Sequence, residues 1–210
     1  MKKILSVLFL LLLTCCQSYA PIEAFDVSEN CPHVCWLGIN PGTTTKADTI
    51  TVLHNTNRIK QKTIIVDESG IGAEWFVGAS FPIDASITFK NGLVKEVILS
   101  GIAPMTISDF IPLFGEPDYI ETTLKLAADA TYIDYTLFYS TKQLGILAST
   151  INNNGPDLKD NINMIVLTTD LSKSNWFADS YQNRQRWLGF GHLKDYFPGQ
   201  KIPVLGSWAP

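Results

Sequence analysis

Residues 86–100, which read SITFKNGLVKEVILS, constrain the fold more than any other stretch of the chain. Asn91-Gly92 lies between two runs rich in apolar and β-branched residues. Asn and Gly accept the positive φ angles of a two-residue turn, whose twist matches that of paired strands. The pattern predicts antiparallel strands over residues 86–90 and 93–100. Similar runs predict strands over residues 63–67 and 74–79 upstream, and over 131–140, 143–150 and 161–169 downstream. Residues 140–142 hold the place in the later set that Asn-Gly holds in the earlier one.

Each set of runs is preceded by the same helix signal. Thr45-x-x-Asp48 and Thr106-x-x-Asp109 carry a hydroxyl and a carboxylate three residues apart. The Thr oxygen can accept a free N–H of the first turn. The Asp can reach back to the Thr N–H and favours the positive end of the helix. Aligning Thr45 with Thr106 places Asp48 on Asp109, Ile50 on Ile111 and Leu53 on Phe114. Gly38-Ile39-x-Pro41 precedes the first signal, and Gly101-Ile102-x-Pro104 the second. Ile107, Phe110, Ile111 and Phe114 make one apolar helix face. Gly115 stops that helix and Pro117 bars its resumption. Pro112, which removes a helical hydrogen bond and crowds the preceding turn, requires it to be short or kinked. The expected fold class is α+β. Two tandem modules, residues 31–101 and 102–171, each have a short helical segment followed by a three- to four-stranded antiparallel sheet, and an aromatic-rich segment follows over 172–210.

The N-terminus speaks to location. Lys2 and Lys3 precede residues 4–13, an apolar run broken only by Ser6. A bilayer-spanning helix needs roughly 20 residues, so this shorter run fits a secretory signal. Two cleavage sites compete. Residues 18–20, SYA, are followed by Pro21, which signal peptidases handle badly. Residues 13–16, LTCC, resemble the bacterial lipoprotein box and place a lipid on Cys16, with Cys15 the other possible acceptor. The reading is a signal peptide over residues 1–15, a tether over 16–30, and an extracytoplasmic protein anchored in the bacterial envelope by acyl chains. A freely secreted protein is the alternative. Beyond the signal region stand only Cys31 and Cys35. In an oxidising compartment a disulfide is their simplest state. A metal site with His33 would need ligands that no nearby Cys or His supplies.

The Thr-x-x-Asp helix start, the LFGEPDYI helix end at residues 113–120 and the strands that follow resemble the small α/β modules of bacterial outer-membrane-assembly lipoproteins of the SmpA/OmlA type. They are also similar to the tandem modules of β-lactamase-inhibitor-like proteins. The resemblance covers about residues 38–170. It implies modules that present a sheet or loop face to another protein and do no chemistry. The first copy lacks the Gly-x-Pro helix end, and no binding residue is carried over. CWLGINPGTTT, at residues 35–45, is similar to a stretch found in bacterial lipoproteins.

Several activities lack their residues. The formal net charge is −4 and no Lys or Arg run occurs, so the basic face of a nucleic-acid binder is missing. The three histidines, His33, His54 and His192, stand in no nucleophile-and-base signature. No phosphate loop or His-Glu-x-x-His metal motif appears, so no cofactor is expected. Asp67-Glu68 and Glu116 with Asp118 are acidic pairs, which in turns are usually solvated. Trp176, Phe177, Tyr181, Trp187 and Phe190 lie close together near the C-terminus. They either wrap the sheets, the preferred reading, or form a surface for protein or glycan contact. The expected function is a non-enzymatic, lipid-anchored protein-binding or scaffolding module whose partner is another envelope protein. The alternative is a secreted inhibitor or an envelope hydrolase of unfamiliar type, which predicts a cleft with convergent polar groups.

Overall fold

The computed structural model describes residues 21–29, 31–77, 81–102, 105–126, 131–151, 155–191, 195 and 204–205. The signal peptide, Cys16 and His192 lie outside the described residues.

The Asn-Gly turn forms as its chemistry requires. Asn91 and Gly92 have φ of 55° and 78°, and Lys90 pairs with Leu93 across them. The strands they join, β5 (Phe81–Lys90) and β6 (Leu93–Ser100), sit within a larger sheet. Before them come β1 (Phe25–Asp26), β2 (Cys35–Trp36), β3 (Ile65–Val66) and β4 (Gly70–Val77). After them come β7 (Tyr119–Leu126), β8 (Thr131–Tyr139), β9 (Leu144–Ile151) and β10 (Asn161–Thr168), then the short β11 (Gln185–Arg186) and β12 (Val204–Leu205). The order is β11-β7-β8-β9-β10-β6-β5-β4-β3, antiparallel throughout, with β12 parallel to β7. β1 and β2 pair separately.

This corrects the expected fold class. The chain is mostly β, with one continuous antiparallel sheet, and is not two tandem helix-and-sheet modules. β6 and β10 pair from Ser100↔Met164 to Glu96↔Thr168 and fuse the two sets of strands. Separate sheets would leave those edges with unpaired N–H and C=O groups, which is costly when buried. The core is shared as well. Trp36, Leu53 and Trp75 belong to the same apolar cluster as Phe110, Tyr139 and Ile165.

Both helix signals work. Helix α1 (Lys46–Asn55) begins where the Asp48 N–H donates to Thr45 Oγ1 at 3.1 Å. Helix α2 (Ile107–Phe114) begins where Thr106 N–H and hydroxyl donate to Asp109 Oδ2, at 2.8 and 3.0 Å. With Pro112 inside it, α2 ends after 8 residues at Gly115, whose φ of 75° favours glycine. Buried Leu53 of α1 and Phe110 and Phe114 of α2 cover one face of the sheet.

Two sequence expectations fail locally. The tether expected over 16–30 does not extend through Phe25. Residues Pro21–Ala24 form a 3-10 turn, and Phe25 is buried edge-on against Trp75, Phe110 and Phe114, at 6.2, 5.5 and 6.1 Å between ring centroids. One aromatic in an aperiodic stretch gives no periodic signal, yet it fills a core site. The second failure is β7. Tyr119 and Ile120 belong to this strand, not to a helix end. Cys31 and Cys35 form a disulfide with Cα atoms 5.7 Å apart. Neither sulfur is then a free thiolate for the metal site weighed with His33.

Candidate functional site

Strand alternation sends Tyr135, Leu137 and Tyr139 of β8 toward the helices, and Asp134, Thr136 and Phe138 to the opposite face. On that opposite face Glu121 of β7 lies across from Thr136, and Thr123 across from Asp134. Asp134 pairs in turn with Ser149 of β9, whose hydroxyl donates to Asp134 Oδ1 at 2.6 Å. Asn163 of β10 donates to the Ser149 hydroxyl. A row of polar groups therefore runs across β7 to β10.

The C-terminal segment turns this row into a cleft. Leu171–Lys173 form a 3-10 turn, and α3 (Ala178–Gln182) follows. Between them Ser174 Oγ accepts the N–H groups of Trp176 and Phe177, at 3.1 and 3.2 Å, and donates to Glu96, a side chain fully buried in β6. Phe177 is buried against Phe138, edge to face at 5.9 Å. It lies over Gly145 so closely that a Cβ there would collide with the ring. Tyr181 stands edge-on to Phe138 at 5.2 Å, and the Arg184 guanidinium lies 3.8 Å over the Tyr181 ring. A segment fastened at this many points holds its neighbours in fixed positions.

The resulting cleft has a volume of about 210 Å3. Its floor is Glu121, Thr123, Asp134, Thr136, Leu147 and Met164, and its wall is Trp176, Phe177 and Ser180. Trp176 is 57% exposed, although Phe177 beside it is buried. Partial burial lifts the Glu121 carboxyl above the ordinary carboxylate range. Hydrogen bonds from Thr123 and Ser180 oppose that shift, and the Asp134 charge adds to it.

The five aromatics expected to form a partner surface are dispersed, which corrects that candidate. Phe177 packs on the cleft side of the sheet. Trp187 is buried in the helix-side core, with Phe190 against it at 4.9 Å. β11 pairs with β7 between them, so the segment straddles that edge of the sheet. Tyr181 and Phe190 are half-buried, and of the five only Trp176 faces outward.

One member of each acidic pair found in the sequence serves a turn. Asp67 accepts from Ser69 N–H and hydroxyl and from Gly70 N–H, and these bonds hold its carboxyl below the ordinary range. Asp118 accepts from Ser140 N–H at 2.6 Å, although it and Glu116 also line a cleft with Arg186 and Trp187. His54 Nδ1 meets Gln61 Oε1 at 2.8 Å on the surface. Among the described residues no group of three or more His, Cys, Asp or Glu could hold a metal ion, and no helix is long and apolar enough to cross a membrane.

Sequence reasoning missed Glu121, Asp134 and Thr136. Alternation in YIETTLKL marks a strand, but its pairing with β8 is not legible locally. No protein-family model matches the chain, and no curated protein or solved structure matches it.

Proposed function

We propose that the protein is a non-catalytic binding module, held outside the cytoplasm by a lipid on Cys16, that presents the sheet face opposite α1 and α2 to a partner in the bacterial envelope. The observation that carries this reading is Trp176. Ser174 and Phe177 near it are buried and hydrogen-bonded, yet the indole itself is 57% exposed at the rim of a polar cleft. Leaving a large apolar ring in water forgoes a favourable burial, and exposed aromatics of this kind are frequent anchors in interfaces.

The test places a photo-crosslinking amino acid at position 176, and separately at the exposed Asn55 of α1, in the envelope of a bacterial host. Position 176 should label one envelope component, and excess unmodified protein should compete it away. Equal labelling from both positions, or none from 176, would remove the reading. The anchor is tested by intact mass. Cleavage before Cys16 with three acyl chains supports it, and cleavage after Ala20 without lipid makes the protein freely secreted.

A hydrolase is the second reading, and one observation favours it. Glu121 and Asp134 share a cleft, and burial favours the protonated form of Glu121, as in the acid of a glycosidase pair. The hydrolase predicts turnover that Glu121→Gln abolishes. Binding without turnover supports the module.

A further inference from the structure

We infer that the cleft between β7–β10 and the C-terminal segment is a saccharide subsite, in which a pyranose ring lays its C–H face on the Trp176 indole and directs its hydroxyls to Glu121, Thr123, Asp134 and Thr136. This rests on reading that face as a binding surface, and it names the ligand class.

The chemistry of the lining selects the ligand. A sugar hydroxyl both donates and accepts. Carboxylates accept only, and threonine and serine hydroxyls do either. Glu121 and Asp134 supply acceptors, Thr123 and Ser180 give their protons to Glu121 and can still accept, and Thr136 can do either. Thr136 is only 2% exposed, lines the cleft, and makes no side-chain hydrogen bond among the described residues. Its hydroxyl is therefore uncommitted within the protein and can bond a ligand group at the cleft. A lipid tail would strand these polar groups without partners. A phosphate would meet two carboxylates of its own sign. A pyranose ring has polar edges and apolar faces, and so suits a polar floor beside an exposed indole.

Size and rigidity agree with this. At about 210 Å3 the cleft is small, on the scale of one sugar ring rather than of a folded segment. Only the side-chain rotamer of Trp176 has to be ordered on binding. Its backbone N–H is fixed by Ser174, and the adjacent Phe177 is wedged over Gly145. A backbone already held in place lowers the entropy cost of seating the ring.

The test is titration of the protein with cellotetraose, maltotetraose and chitotetraose, followed by tryptophan fluorescence and calorimetry. At least one should bind saturably and change the fluorescence. Trp176→Ala should weaken that binding by about tenfold or more without moving the thermal midpoint, because the ring is mostly exposed. Thr136→Val, which keeps the shape and removes the hydroxyl, should weaken it by a smaller factor. If no tetrasaccharide binds at millimolar concentration, or if Trp176→Ala binds as the native protein does, the saccharide subsite is wrong. The crosslinking test separates the two ideas. Specific labelling from position 176 without sugar binding overturns the saccharide inference and leaves the binding face standing. Loss of both overturns both. Sugar binding accompanied by shortened products that Glu121→Gln abolishes keeps the subsite and replaces the non-catalytic reading with a hydrolase.

Discussion

The two faces of the sheet are built from alternate residues of the same strands, and they differ in what covers them. On one face Tyr135, Leu137, Ile146 and Ile165 meet α1, α2 and Phe25 in one large apolar cluster. On the other, Phe138, Val166 and Ile98 are covered by Leu171, Phe177 and the half-buried Tyr181, and the polar row from Glu121 to Asn163 stands beside them. The first face holds the fold together. The second keeps only enough apolar surface to fasten the C-terminal segment. The contrast teaches that strand alternation fixes which residues share a face, while the covering element decides what that face can do.

Substitutions can break this comparison in order of expected effect. Trp75→Ala removes a fully buried ring from the helix side and should cost about 3–5 kcal/mol. Urea unfolding would show the whole sheet destabilised. A loss confined to one end of the sheet would argue against the shared core. Phe177→Ala on the opposite face should cost less, about 3 kcal/mol, since Tyr181 lies close enough to collapse into the space. Limited proteolysis should then cut near α3 while the sheet stays intact. Cooperative loss of the sheet at the same denaturant concentration would mean that the two faces are not separable.

Thr106→Ala should cost about 1 kcal/mol by weakening the start of α2, read as a lower thermal midpoint. The smallest effect belongs to Glu121. Its folded-state carboxyl is raised, so the folded protein binds the proton more tightly than the unfolded chain. Stability contributed by the protonated form is therefore fully present at low pH and declines as pH rises through the ordinary carboxylate range to the folded value. Glu121→Gln should flatten that decline, so urea midpoints of the two proteins should converge in acid. Identical pH profiles would show that the cleft does not desolvate this carboxyl.

The legible parts of the fold are those fixed by neighbours in the chain. Asn91-Gly92 announced a hairpin because its φ requirement is intrinsic to those two residues. Thr45 and Thr106 announced helices because their cap partners lie three residues on. Cys31 and Cys35 are close enough in sequence for their disulfide to be read directly. β7 was lost because Tyr119 and Ile120 fall within the LFGEPDYI motif read as a helix end, which hides the alternation that they begin. The candidate site was invisible for a different reason. Glu121 and Asp134 stand on adjacent strands in a register that no local pattern reports, and Trp176 meets them from another segment.

By itself the sequence determined the turns, the helix caps, the disulfide and the alternation along the strands, all of which depend on short-range sterics and hydrogen bonding. Only the tertiary structure decided that β6 and β10 join the strands into one sheet, that Phe25 belongs to the core, and that the C-terminal segment closes a cleft over the polar face. Those outcomes come from satisfying edge hydrogen bonds and burying apolar surface between residues far apart in the chain, and which distant edges and faces meet is a property of the assembled whole.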